Sequence, residues 1–180
     1  MRKKIFTAVT VIFIIAVNGG MLDVTHGDQG QSFSTVNGPV ELRFPAGWFK
    51  NEKDNPYDLQ CFSKLQRMNT GVFLFSKVDL AEEFTPEKLF QLQIEDLKSK
   101  RKNFAVLENK QIIRTDQKKL TSIVYSGEKG VSRYYYRFTL VEFLKNPELF
   151  LVVLQVSIPS YWKLHKPILE EITLSARTKH

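Results

Sequence analysis

Residues 150–174, FLVVLQVSIPSYWKLHKPILEEITL, decide the fold, because they join the most apolar strand candidate to a closing helix able to lie across it. Val152, Leu154, Val156 and Ile158 fall on one face at period two while Leu151 and Val153 take the other, so this strand is expected in mid-sheet, covered on both sides. Each large aliphatic it buries is worth roughly 1.5 to 3 kcal/mol. The closing helix is expected to be capped by Ser160 after Pro159, with Tyr161, Leu164, Ile168 and Ile172 as its buried stripe. Pro167 is expected to kink or divide it, and His165 to sit at a polar boundary near that break.

Upstream of this pair the pattern is a run of strands with short polar turns. Segments near 105–114, 119–126, 131–144 and 149–158 are separated by Asp116–Lys119, Gly127–Gly130 and Lys145–Glu148, connections short enough to force antiparallel neighbours. In the third segment Tyr134, Tyr136, Phe138 and Leu140 share one face and Tyr135, Arg137 and Thr139 the other. The first face reads as a covered aromatic ladder or as an aromatic binding surface formed by Tyr134 and Tyr136.

A helix precedes these strands. Thr85-Pro86-Glu87 supplies a cap, a proline at the first helical position and an acid at the positive end of the dipole. Phe90, Ile94 and Leu97, with Leu89 beside them, mark its packed side, and Asp96 with Lys100 forms an i, i+4 ion pair. The helix ends in Lys98, Lys100, Arg101 and Lys102, which either complement its negative end or form a patch for an anionic partner. Before it, Val40, Leu42 and Phe44 alternate in a half-buried strand closed by Pro45, with a tight corner at Gly47-Trp48. A hairpin of 59–66 and 72–78 is expected to turn at Asn69-Thr70-Gly71, with Leu59, Cys61 and Leu65 on one face. Cys61 is the only cysteine, so no disulfide closes within the chain, and the thiol is expected to be buried.

The amino terminus reads as an export signal. Met1–Lys4 is basic, and Ile5–Val17 is an apolar run shorter than a bilayer span. Residues 1–20 are therefore taken as a signal peptide with cleavage between about residues 18 and 27, the alternative being an uncleaved tether. Residues 21–38 read as a flexible leader, and 39–177 as one domain. Losing Arg2, Lys3 and Lys4 lowers the net charge from +7 to +4, too mild and too dispersed for a nucleic-acid binder.

No catalytic constellation is legible. His26, His165 and His180 are isolated, the acidic pairs Glu82-Glu83, Glu95-Asp96 and Glu170-Glu171 read as solvated surface, and the phosphate-loop, dinucleotide and nucleophile-elbow motifs are missing. Hence no catalytic residue, metal ligand or cofactor is assigned.

Phe44-Pro45-Ala46-Gly47-Trp48 after the first strand, and Val156-Ser157-Ile158-Pro159-Ser160 leading to a final helix with Ile172 and Ser175 near its end, resemble the PsbP-like family over about residues 38–177. The resemblance implies an α+β fold, a central antiparallel sheet of about six strands between helices, in an α/β/α sandwich. It also implies an adaptor role. PsbP is an extrinsic lumenal subunit of photosystem II, and a nuclear import factor of the same fold binds Ran. The expectation is an exported, periplasmic or extracellular, monomeric and non-enzymatic protein that docks on a protein assembly at or near a membrane. The alternatives are a carrier of a small ligand or lipid head group using the Tyr134–Phe138 face, and an uncharacterised hydrolase.

Overall fold

The computed structural model describes residues 30–36 and 38–179, so the segment expected to be a signal peptide, the expected cleavage site and the start of the expected leader lie outside the described residues. In chain order the elements are β1 (Gln31–Ser34), β2 (Val40–Phe44), β3 (Trp48–Lys50), β4 (Leu59–Ser63), β5 (Met68–Ser76), α1 (Pro86–Ser99), β6 (Lys102–Arg114), β7 (Lys118–Lys129), β8 (Ser132–Phe143), β9 (Leu149–Ser157), α2 (Trp162–Leu174) and β10 (Arg177–Thr178). The main sheet has seven strands in the order β3-β4-β5-β9-β8-β7-β6, every neighbouring pair antiparallel. The seventh strand is β3, which continues from the Gly47 corner where a turn alone was expected. As the apolar run requires, β9 is the central strand, buried from Phe150 to Ser157.

One helix covers each face. Against α1, Leu89, Phe90, Ile94 and Leu97 pack on Tyr136, Phe138 and Leu140 of β8 and on the even-numbered residues Phe150–Val156 of β9. On the other face Trp162, Leu169 and Ile172 of α2 close over Leu120, Val124, Val141, Leu151 and Val153, joined by Val40, Leu42 and Phe44. The last three belong to a small three-stranded sheet, β1-β2-β10. Gln31–Ser34, inside the stretch read as a flexible leader, is thus an edge strand paired with β2. Among the described residues, no helix is long and apolar enough to cross a membrane.

Thr85 caps α1, its Oγ1 accepting from the Lys88 amide, with Pro86 at the first helical position. α2 departs from expectation. A short 3-10 turn, Pro159–Tyr161, precedes it, no side chain caps it, and it runs unbroken through Pro167 to Leu174. An unbroken run is possible because the proline ring lies on the exposed side, where losing one backbone hydrogen bond to water is cheap. The buried stripe is Trp162, His165, Leu169 and Ile172, while Tyr161 and Leu164 are exposed; the larger indole surface of Trp162 sets the helix's rotation. The β4–β5 hairpin turns at 64–67, not at 69–71, and Leu65 is exposed in the turn. Gly71 is needed for a different reason, since a Cβ there would lie 2.3 Å from the Tyr57 ring. Cys61 is buried, and burial pushes its thiol up to about 12.

Candidate functional site

The expected basic patch gathers at the end of the sheet where α1 stops and β6 begins. Lys98 lies 3.5 Å from Glu95, and Lys100 2.6 Å from Asp96. Arg101 donates from Nε to the Tyr136 hydroxyl at 2.9 Å and lies over its ring at 5.6 Å. Lys102 opens β6 opposite Glu128, whose carboxylate accepts from Arg133 and Asn103, both at 2.7 Å, and which those donors hold below the usual carboxylate range. Lys129 across the hairpin is lowered by burial and then by the charge of Arg101. The aromatic surface is corrected: Tyr136 is only 2% exposed, roofed by α1, Arg101 and Phe104, and Tyr134 beside it is half-buried.

A second region was not singled out from the sequence. The main sheet is wider than its helix layer, so β6 and β7 extend beyond α1. On this flank Ile123 and Tyr125 of β7 are half-open, and Val106 and Ile112 of β6 are exposed, Ile112 at 59%. A cleft of about 120 Å³ lies between Glu87, Phe90 and Gln91 of α1 and Lys110 and Ile112 of β6, floored by Thr121, Ile123 and Leu140. β6 is also a free edge among the described residues. It is irregular near Lys102–Gln111 but regular from Gln111 to Arg114, opposite Ser122 to Lys119. Alternate residues of such an edge turn their N–H and C=O groups outward, ready to pair with an added strand.

A third group lies under α2. Arg137, 2% exposed, donates to Gln155 Oε1 at 2.9 Å and Thr173 Oγ1 at 3.1 Å, and Gln155 Nε2 donates to the Leu169 carbonyl at 2.8 Å. Burial pushes Arg137 down to about 10. Next to it His165 Nδ1 and Ser157 Oγ lie 2.7 Å apart, with His165 buried, not at a boundary, and lowered by desolvation. The distance suits a nucleophile and its base, but both side chains are sealed beneath α2, where no substrate atom reaches the hydroxyl. Glu108 of β6 ties this layer to α2, accepting from Trp162 Nε1 at 2.9 Å and Lys166 Nζ at 2.7 Å. Among the described residues no group of three or more His, Cys, Asp or Glu side chains is placed to hold a metal ion.

No protein-family model matches the chain, and no curated protein matches it in sequence. Solved structures do. The solution structure of cyanobacterial PsbP (CyanoP) from Synechocystis sp. PCC 6803 superposes with a TM-score of 0.63 at 14% identity, covering 89% of this chain and 98% of that one. The chain has the PsbP-like fold. The Ran-binding protein Mog1p of Saccharomyces cerevisiae shares it, with a TM-score of 0.59 at 10% identity over 84% of this chain and 96% of that one. So does LpqN, involved in cell envelope biogenesis of Mycobacterium tuberculosis, with a TM-score of 0.58 at 12% identity over 87% of this chain and 89% of that one. At these identities the PsbP-like likeness is one of fold. Side-chain roles must come from this chain's own geometry.

Proposed function

We propose that this chain is an exported, non-catalytic accessory domain that docks on a protein assembly near a membrane, and that the flank of β6 and β7 beside α1 is the docking surface. The observation that carries the reading is the free edge of β6 with Ile112 exposed between Lys110 and Arg114. An extended partner segment with an apolar residue facing Ile112 and acidic residues facing Lys110 and Arg114 satisfies both the edge's backbone groups and its charge. The occurrence of this fold in a Ran-binding protein and in a protein involved in cell envelope biogenesis is compatible with such a role. Carriage of a small ligand is less well supported, because the cleft of about 120 Å³ falls well short of the roughly 300 Å³ at which ligand pockets begin.

The test is a photo-crosslinking residue placed at Ile112 in the exported protein. The expected result is one discrete protein adduct that disappears when Lys110 and Arg114 are changed to Glu, and that does not form from Phe49 on the opposite edge strand β3. Equal adducts from both edges, or an adduct indifferent to the charge reversal, would overturn the assignment.

A further inference from the structure

A different surface points to a different partner. β9 ends at Ser157, opposite Tyr135, but the β7–β8 ladder continues through Gly127–Tyr134, Glu128–Arg133 and Lys129–Ser132. At about 3.4 Å per residue the hairpin stands roughly 10 Å beyond the central strand. At its tip, Gly130 takes the left-handed conformation the tight turn requires, with φ of 62°, and Val131 is fully exposed. Strand register sets two more turns on the same end of the sheet. Asn69 pairs with Val156, so the 64–67 turn lies beside Ile158–Tyr161, from which α2 starts. Both carry exposed apolar side chains, Leu65 at 67% and Tyr161 at 52%, and Leu164 in the first turn of α2 is exposed as well.

Cations surround these tips. Lys102, Lys129 and Arg133 flank the hairpin, with Lys98 and Arg101 at the adjoining end of α1, and Lys64 and Arg67 occupy the second turn. Glu95, Asp96 and Glu128 offset only part of this charge, whereas the opposite end of the sheet, where Asp79, Glu82 and Glu83 follow β5, mixes both signs. We infer that this end of the sandwich binds an anionic lipid surface, with Val131 at the hairpin tip entering the head-group layer and the surrounding lysines and arginines meeting lipid phosphates. The apolar residues project from the hairpin tip, the 64–67 turn and the start of α2. A fluid interface receives isolated tips of this kind, and the cations supply attraction to acidic head groups. The surface is apart from the β6 flank, so it is tested separately from the docking of a protein.

The experiment places an environment-sensitive dye on a Val131→Cys chain, the buried Cys61 remaining unlabelled. Vesicles of phosphatidylcholine containing phosphatidylglycerol are expected to shift the emission to the blue, vesicles of phosphatidylcholine alone to leave it unchanged, and added salt to reverse the shift. Adding Lys102→Gln should weaken vesicle binding about five-fold, the effect of one cation near an acidic surface. The Ile112→Asp chain should bind vesicles as the unmodified protein does. Because the dye reports on the tip itself, attachment through another part of the chain does not mimic the result. Emission unchanged on acidic vesicles, a shift on neutral vesicles, or an equal shift with soluble polyglutamate would overturn the inference, the last by making the partner an acidic polypeptide.

Discussion

Replacing Arg137 by Met is expected to cost far less stability than replacing it by Ala. The guanidinium is sealed under α2, and burial, partly offset by the charges of Glu170 and Glu108, holds its pKa down to about 10 from an ordinary value above 12. At about 1.4 kcal/mol per tenfold, that is about 3 kcal/mol. Against it stand hydrogen bonds to Gln155 Oε1 and Thr173 Oγ1, each worth about 1.5 to 3 kcal/mol because the donor is charged. Together the bonds come to about 3 to 6 kcal/mol, which matches the burial cost at the low end and exceeds it by about 3 kcal/mol at the high end. Methionine keeps most of the side chain's length, removes both charge and bonds, and leaves one acceptor, Gln155 Oε1, short of a partner at about 1 to 3 kcal/mol. Alanine adds a cavity to that orphaned acceptor and is expected to cost about 4 kcal/mol or more. Urea unfolding followed by circular dichroism reads both, with the comparison taken from midpoints at unchanged slope. Adding Gln155→Leu to Arg137→Met should return stability toward that of the parent, since the Leu169 carbonyl lies inside α2, where the helix's own i, i+4 bonding serves it. If the Met variant falls as far as the Ala variant, the guanidinium has a full counter-charge in the interior and the reasoning fails.

Thr139 of β8 is wholly buried, and its hydroxyl has no hydrogen-bond partner among the described residues, so Thr139→Val should raise the urea midpoint by about 1 kcal/mol of stability. A lower midpoint would mean that the hydroxyl is bonded. His165 is kept neutral by burial, its folded pKa below the ordinary 6.5. The unfolded chain therefore takes up a proton first, and stability should fall as pH drops from about 6.5 through the folded value, then level off. The same titration on His165→Gln should lose that segment of the curve. An unchanged slope would put the titration elsewhere.

The longer strands, the capped first helix and the central place of β9 were legible because period-two and i, i+4 spacing report burial directly, whereas the short strands β1, β3 and β10 were not. The closing helix was misread by one position. Tyr161, Leu164 and Ile168 make as good a stripe as Trp162, His165 and Leu169, and only packing against the sheet chooses between them. Gly71 looked like a turn because glycine's two uses, a positive φ and room for a neighbour, leave the same letter in the sequence. The basic cluster and its Asp96–Lys100 pair were visible, but the hold of Arg101 on Tyr136 joins segments 35 residues apart in the chain. The flank of β6 left no local signal at all. It is exposed because the sheet outgrows α1, a property of strand order that appears only on assembly. Arg137 and Gln155 could have drawn notice as long polar residues among the apolar and aromatic runs of β8 and β9, paired in register.

The central claim is that the domain works by holding a partner against its open sheet flank, and amide hydrogen exchange with the crosslinked partner, isolated and added back, tests it most directly. Exchange should slow at Gln111–Arg114 of β6, while Trp48–Lys50 at the other edge stays as it is in the free protein. Protection spread evenly over both edges, or confined to the α2 side, would contradict it.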